Sequence, residues 1–179
     1  VTASLDDGVT WSEPREISAQ VRRPGWRWYA TGPGHGIQLS DGRLVIPCNH
    51  SLNEDAASWR SHVIVSDDGG QTWKLGGIQP SGHTNESTVA EMADGSLYQN
   101  MRSYAGDSRR RIAYSRDRGE TWSEAQVDPA LVEPVCQASV LRCAADGSSP
   151  DVLLFSNPAA LERVRMTVRA SYDGGRTWP

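Results

Sequence analysis

The sequence predicts an all-β chain that forms part of a β-propeller, and three observations support this fold class. An eight-residue template, Ser-x-Asp-x-Gly-x-Thr-Trp, is repeated at 4–11, 66–73, 115–122 and 171–178. Asp-Gly pairs, which indicate β-hairpins when apolar runs flank them, occur at 41–42, 94–95 and 146–147. The four copies of the template are spaced by 62, 49 and 56 residues without useful helical periodicity between them. Such spacing is typical of propeller blades.

Each copy of the template, called an Asp box below, predicts a strand–turn–strand staple. Ser and Asp side chains can accept hydrogen bonds from nearby backbone N–H groups, and Gly provides the positive φ of a tight turn. Thr-Trp then restarts a strand, and the indole ring covers the turn. One Asp per turn does not supply the oxygen cage that calcium needs. The boxes therefore predict a scaffold, and we expect no metal or cofactor.

The repeats predict four antiparallel strands per unit, with the fourth beginning at the Trp of each Asp box. The first strands are predicted at 36–39, 88–92 and 138–142, the second at 43–47, 96–101 and 151–156, and the third at 62–66, 111–115 and 166–171. This layout gives about three blades, whereas closed propellers have about 4–8. We expect 1–179 to be one partial propeller domain, completed by the remaining blades of a parent chain.

Strand direction places a candidate site at the blade ends opposite the Asp boxes. The loops there are long and differ from one another, and such loops on a rigid scaffold commonly carry function. The polar residues at these strand ends are Asn49, His50, Glu86, Arg102 and Arg163. Two guanidinium groups and a carboxylate around one space suit an anionic ligand, because paired Arg groups can hold a carboxylate through several charge-assisted hydrogen bonds.

Composition excludes several other classes of function. The net charge is −4, so we expect no nucleic-acid partner, and the basic run 109–111 is interpreted as a solvated strand edge. No apolar run approaches the ~18 residues of a membrane span. Three cysteines without metal-ligand spacing predict no disulfide framework.

The sequence resembles the sialidase (neuraminidase) family, which consists of six-bladed propellers with Asp boxes. The resemblance covers nearly the whole chain. Beyond the boxes it rests on Thr-Gly-Pro-Gly-His-Gly-Ile-Gln-Leu at 31–39, Asn-Glu at 85–86, Asn-Met-Arg-Ser at 100–103, and Ser-Asn-Pro at 156–158 followed by Arg163. The Glu–Arg pair with the Asn-Pro…Arg segment is more specific than the boxes, which many other propellers share.

The resemblance implies a role for each candidate residue. Arg102 and Arg163 are similar to the second and third arginines of the triad that grips the sialic acid carboxylate, with Arg165 and Arg169 as rivals for the third. Glu86 is similar to the base that activates a tyrosine nucleophile. Asn49 and His50 occupy positions that line the glycerol or aglycone side, although His50 could equally be an ordinary loop histidine.

The family's first triad arginine and its acid/base aspartate would precede Val1, and its tyrosine would follow Pro179. The resemblance thus implies a segment of a retaining exo-α-sialidase that is inactive by itself. Its partners would be sialylated glycans or glycolipids, and a secreted, periplasmic or lysosomal location is expected ahead of a cytoplasmic one. The alternatives are a non-catalytic Asp-box propeller that binds carbohydrate or protein, and a trans-sialidase or other glycosidase on a related propeller.

Overall fold

The computed structural model describes residues 1–145 and 150–179, which form three antiparallel sheets. These sheets are the three predicted propeller blades, called A, B and C in chain order. The predicted hairpin at 146–147 lies outside the described residues. No helix in the described ranges has the length and apolar character that crossing a membrane requires.

Blade A contains five strands. They are β1 (Trp28–Thr31), β2 (Ile37–Gln38), β3 (Leu44–Ser51), β4 (Arg60–Ser66) and β5 (Lys74–Ile78). The first strand, predicted at 36–39, is divided into β1 and β2, and both pair with β3. The run Gly-Pro-Gly-His-Gly at 32–36 separates them, because Pro lacks a backbone donor and Gly weakens a strand. A short α1 (Ser18–Val21) and a 3₁₀ turn at Ala56–Ser58 complete the blade.

Blade B has the predicted four strands with shifted boundaries. They are β6 (Thr84–Glu91), β7 (Leu97–Ser103), β8 (Arg109–Ser115) and β9 (Gln126–Val132). The prediction that Glu86 precedes the first strand is wrong, since β6 begins at Thr84. The fourth strand starts at Gln126 and not at Trp122, because Trp122 is buried in the core that blades A and B share.

Blade C contains the three predicted strands in the order in which they occur in the chain. They are β10 (Ser139–Cys143), β11 (Val152–Pro158) and β12 (Met166–Ser171). Strand β11 continues two residues beyond its predicted end at 156. Asn157 Nδ2 donates to the carbonyl of Val132 at 2.7 Å, which ties the end of β11 to the last residue of β9 in blade B.

The hydrophobic core lies between the blades, and strand β7 contributes to both of its halves. Leu97 and Met101 face Val63 and Trp122 on the side of blade A. Tyr98, the residue next to Leu97, faces the blade C side, where the core includes Leu153, Phe155 and Trp178. Successive side chains of a strand point to opposite faces. The blades therefore pack face to face with apolar residues between them.

The Asp boxes form the predicted staples. In the second box, Thr72 Oγ1 donates to Asp68 Oδ2 at 2.6 Å, and Ser66 Oγ donates to Asp68 Oδ1 at 2.8 Å while accepting from the Gly70 N–H at 2.8 Å. Gly70 has φ 87°, a conformation that favours glycine. Hydrogen bonds from Thr72 lower the pKa of Asp68 to about 2. The same Ser–Asp–Thr pattern is present in the other three boxes.

Candidate functional site

The candidate site is built around an ion pair between Glu86 and Arg102 at the end of blade B opposite its Asp box. Arg102 Nη1 donates to Glu86 Oε2 at 2.9 Å, and both side chains are only partly exposed, at 18% and 25%. The register shifts between Thr84 and Ser87, which marks a β-bulge at Asn85 and Glu86. Bulges re-aim side chains and are over-represented beside active sites. Here the bulge brings Glu86 to Arg102.

A cavity of about 220 Å³, called the site cavity, opens beside this pair. Its walls come from blades A and B and include Asn49, Asn85, Glu86 and Arg102. Arg102 Nε and Asn85 Nδ2 are buried N–H donors without a hydrogen-bond partner in the described part of the chain. Buried donors are normally satisfied, so such orphans call for an explanation. The partly exposed guanidinium group of Arg102 on the cavity wall suits a ligand with anionic or carbonyl oxygens.

The structure brings Asn49 to the site cavity and places His50 elsewhere. Asn49 Nδ2 donates weakly to the Gly32 carbonyl at 3.4 Å and lines the cavity. His50 is the next residue in β3, so its side chain points to the other face of the sheet. It stacks on Trp26 with a ring-centroid distance of 3.7 Å and is only 3% exposed. The geometry therefore offers no direct contact between His50 and a ligand in this cavity.

His50 is paired instead with a second buried histidine. The Nδ1 atoms of His50 and His62 are 3.0 Å apart, so a hydrogen bond between them requires one ring to carry its proton on Nδ1 and donate to the other. Burial is the main reason why the pKa of His50 falls to about 4 and that of His62 to about 3, with the nearby charges of Arg60 and Arg23 adding to the effect at His50. The pair is neutral near pH 7 and belongs to the interior of blade A.

Arg163 is exposed and lies in the segment 159–165, which joins β11 to β12. This segment is at the end of blade C opposite its Asp box, on the same side of the molecule as Glu86 and Arg102. Arg163 is not among the residues that line the site cavity. Across the described residues, no group of three His, Cys, Asp or Glu side chains is arranged to hold a metal ion.

A buried ion pair lies behind the site and corrects the interpretation of the run 109–111. Arg110 is fully buried, and its Nη1 donates to Glu133 Oε2 at 2.7 Å. Glu133 Oε1 accepts from the backbone N–H of Ser103 at 2.7 Å, directly beside Arg102. The predicted solvated edge is therefore wrong for Arg110. Strand alternation gives the reason: β8 points Arg110 into the molecule, whereas Arg111 pairs with the more exposed Asp107.

Sequence reasoning missed three aromatic side chains on the wall of the site cavity, Trp28, Trp59 and Tyr104. Trp28 lies in β1, which comes before the first strand predicted at 36–39, and Trp59 follows the 3₁₀ turn before β4. Tyr104 follows β7, and the guanidinium carbon of Arg102 lies 4.9 Å from the centre of its ring. The spacing Arg102-x-Tyr104 at a strand end was the available signal for this contact.

Comparison with known proteins gives the family. The model of the BNR repeat-like domain matches residues 1–179. The chain belongs to the BNR repeat-like domain family. Among curated proteins, this BNR repeat-like chain is 40% identical to a sialidase of Bacteroides fragilis over 98% of its length, and 35% identical to a sialidase of Micromonospora viridifaciens over 100% of its length. The predicted resemblance to the sialidase family is thus confirmed.

Solved structures give the same relationship for the fold. The structure of the Hadza microbial sialidase Hz136 matches 99% of the BNR repeat-like chain with a TM-score of 0.88 and 40% sequence identity, covering 35% of that sialidase. The two curated relatives are covered to 32% and 29%. The chain therefore spans about a third of the proteins that it matches. The predicted fold class, part of a sialidase-type β-propeller, is confirmed.

Proposed function

We propose that this chain is a segment of an exo-α-sialidase that removes terminal sialic acid from glycoconjugates. The observation that carries the proposal is the Glu86–Arg102 pair, held at 2.9 Å on the wall of the site cavity. A carboxylate ligand in this cavity would accept hydrogen bonds from the exposed part of the Arg102 guanidinium group. The names of the relatives, sialidase and exo-α-sialidase, support the same reaction class.

In the proposed mechanism, Arg102 binds the carboxylate of sialic acid and Glu86 acts as a general base. That carboxylate sits on the anomeric carbon, so an acidic nucleophile would approach against like charge. A tyrosine relieved of its proton avoids the repulsion, and sialidases are the recognised tyrosine exception among glycosidases. We infer a tyrosyl intermediate and retention of configuration. The tyrosine, the acid/base aspartate and the first triad arginine would come from outside residues 1–179, so this segment alone would be inactive.

The remaining predicted site residues enter the proposal with different support. Asn49 lines the site cavity and would contact the bound sugar. Arg163 is proposed as the third arginine of the triad; its segment lies on the correct side and would have to turn toward Arg102 when ligand binds. The role of His50 stays a prediction that the burial of its ring does not support.

Glu86→Gln and Arg102→Ala test the proposal in the full-length protein that carries this chain. Removal of a general base costs about 100-fold or more in rate. Loss of hydrogen bonds to a charged group, each worth about 1.5–3 kcal/mol, costs a similar factor in kcat/KM. Hydrolysis of methyl α-sialoside, followed by release of free sialic acid, is the measurement.

Arg111→Ala is the matched control, because Arg111 pairs with Asp107 in the loop that precedes its own strand and does not line the site cavity. We expect it to keep normal turnover. Normal turnover in Glu86→Gln and Arg102→Ala as well would disprove the proposed roles. Sialoside binding without any hydrolysis by the unmodified protein would instead favour a non-catalytic carbohydrate-binding propeller.

A further inference from the structure

Three aromatic rings form a continuous row that begins at Arg102. The guanidinium carbon of Arg102 is 4.9 Å from the centre of the Tyr104 ring, and Tyr104 meets Trp59 edge to face at 5.7 Å. Trp59 in turn lies 6.1 Å from Trp28. These distances are typical of interacting aromatic side chains. The row, called the aromatic row below, runs from blade B to blade A along the wall of the site cavity.

The far end of the row is open to solvent. Trp28 is 52% exposed, whereas Trp26, Trp73, Trp122 and Trp178 are at most 7% exposed. Trp11 is also exposed, but its indole N–H is used within its own Asp box, where it donates to the Gly8 carbonyl. Trp28 has no such role in a box. Because Trp28 lines the same cavity as Glu86 and Arg102, its ring is placed to contact a ligand bound there.

The size of the site cavity determines what the aromatic row could contact. Its volume of about 220 Å³ is below the roughly 300–1,000 Å³ of pockets that enclose a drug-sized ligand. Within residues 1–179 it has room for a single sugar ring. A ring bound against Arg102 and Glu86 fills the polar end, so the sugar joined to it would extend along the wall that Trp59 and Trp28 line, toward the exposed ring of Trp28.

We propose that Trp28 and Trp59 bind the neutral pyranose that is joined to the terminal sialic acid, and so select glycan over simple alkyl substrates. This inference rests on the function proposed above. A pyranose has an apolar face of C–H groups, which packs on the negative face of an aromatic ring and buries apolar area. The charged groups of the cavity wall, Arg102 and Glu86, lie at the other end of the row, so its outer end favours an uncharged sugar.

Two substrates separate this subsite from the catalytic groups. In the full-length protein, Trp28→Ala is expected to lower kcat/KM for sialyllactose about tenfold, equivalent to about 1.4 kcal/mol. It should leave kcat/KM for methyl α-sialoside unchanged. Trp28→Tyr keeps an aromatic face and should restore most of the loss. Trp11→Ala is the matched control: it removes a Trp that is 63% exposed at the Asp-box end and should leave kcat/KM for both substrates unchanged.

Dissociation constants for sialyllactose and methyl α-sialoside are measured in parallel by calorimetry. If Trp28→Ala loses kcat/KM and affinity equally for both substrates, or loses neither for either substrate, the aromatic subsite is overturned. If the unmodified protein cleaves neither substrate, the proposed sialidase function fails, and binding alone then decides the subsite. A tenfold weaker affinity of Trp28→Ala for sialyllactose, with unchanged affinity for methyl α-sialoside, supports the subsite. Equal affinities of Trp28→Ala and the unmodified protein overturn it. A Trp28→Leu variant, which keeps an apolar side chain but removes the aromatic face, supplies the same comparison if Trp28→Ala does not fold.

Discussion

The buried pair of Arg110 and Glu133 gives the sharpest test of how the scaffold supports the site. Arg110 is 0% exposed and Glu133 is 1% exposed. Arg110 Nε also donates to Asn100 Oδ1 at 2.6 Å, and Nη1 is shared between Glu133 and the Cys136 carbonyl. Burial lowers the pKa of Arg110, and the charge of Glu133 opposes that effect. Glu133→Gln keeps the size of the side chain but removes the compensating charge and one of the two acceptor oxygens, since Oε1 accepts from the Ser103 N–H and Oε2 from Arg110.

The expected cost follows from the contacts that remain. Removal of one partner of a buried ion pair typically costs about 3–5 kcal/mol, because the other charge is left uncompensated. Asn100 and the Cys136 carbonyl still accept from Arg110 in the variant, so the lower value, about 3 kcal/mol, applies. With a urea m-value of about 2–3 kcal/mol/M, the unfolding midpoint should fall by about 1–1.5 M.

Equilibrium unfolding in urea, followed by tryptophan fluorescence, measures this shift. Glu54→Gln is the matched control, since Glu54 pairs with Arg27 in an exposed bridge in which the side chains are 79% and 60% exposed. Exposed pairs contribute little, and we expect no measurable change there. A midpoint shift for Glu133→Gln as small as that of the control would refute the reasoning, because Arg110 would then not depend on Glu133 for its charge compensation.

Two further predictions concern the buried histidines and the Asp boxes. The pKa of His50 is about 4 and that of His62 about 3 in the folded chain, below the value of about 6.5 for an unfolded histidine. The unfolded state therefore binds more protons, and the free energy of unfolding should fall as pH drops from about 6.5 toward 4, by up to about 1.4 kcal/mol per pH unit for each histidine. His62→Gln should weaken this dependence in urea titrations while His35→Gln, at an exposed position, should not; identical slopes in all three proteins would contradict the assignment. Asp117→Ala removes the acceptor of hydrogen bonds from Ser115 and from both the backbone and the hydroxyl of Thr121, and at about 1 kcal/mol per bond it should lower the free energy of unfolding by about 2–3 kcal/mol. Exposed Arg116→Ala is its control, and equal stability of the two variants would show that the box does not act as a staple.

Much of the site could be predicted because its residues lie near the ends of strands on one side of the blades. The Asp-Gly pair at 94–95 and the Asp box at 115–122 define the direction of β7 and β8, and this direction puts Glu86 and Arg102 at one end of the blade. The contact between their side chains could not be predicted. It depends on the bulge at Asn85 and Glu86, since one extra residue in a strand changes the face to which the following side chains point.

The sequence by itself determined the strand order, the positions of the staples and the end of the blades that carries Glu86, Asn49 and Arg102. These features depend on local rules: turn chemistry, period-2 alternation and chain direction. Only the tertiary structure decided that His50 is buried against Trp26, that Arg110 is paired with Glu133, and that Trp28, Trp59 and Tyr104 form one row. Each of these contacts joins residues from separate strands, turns or loops. Their distances are set by how blades and strands pack, which no local pattern in the chain encodes.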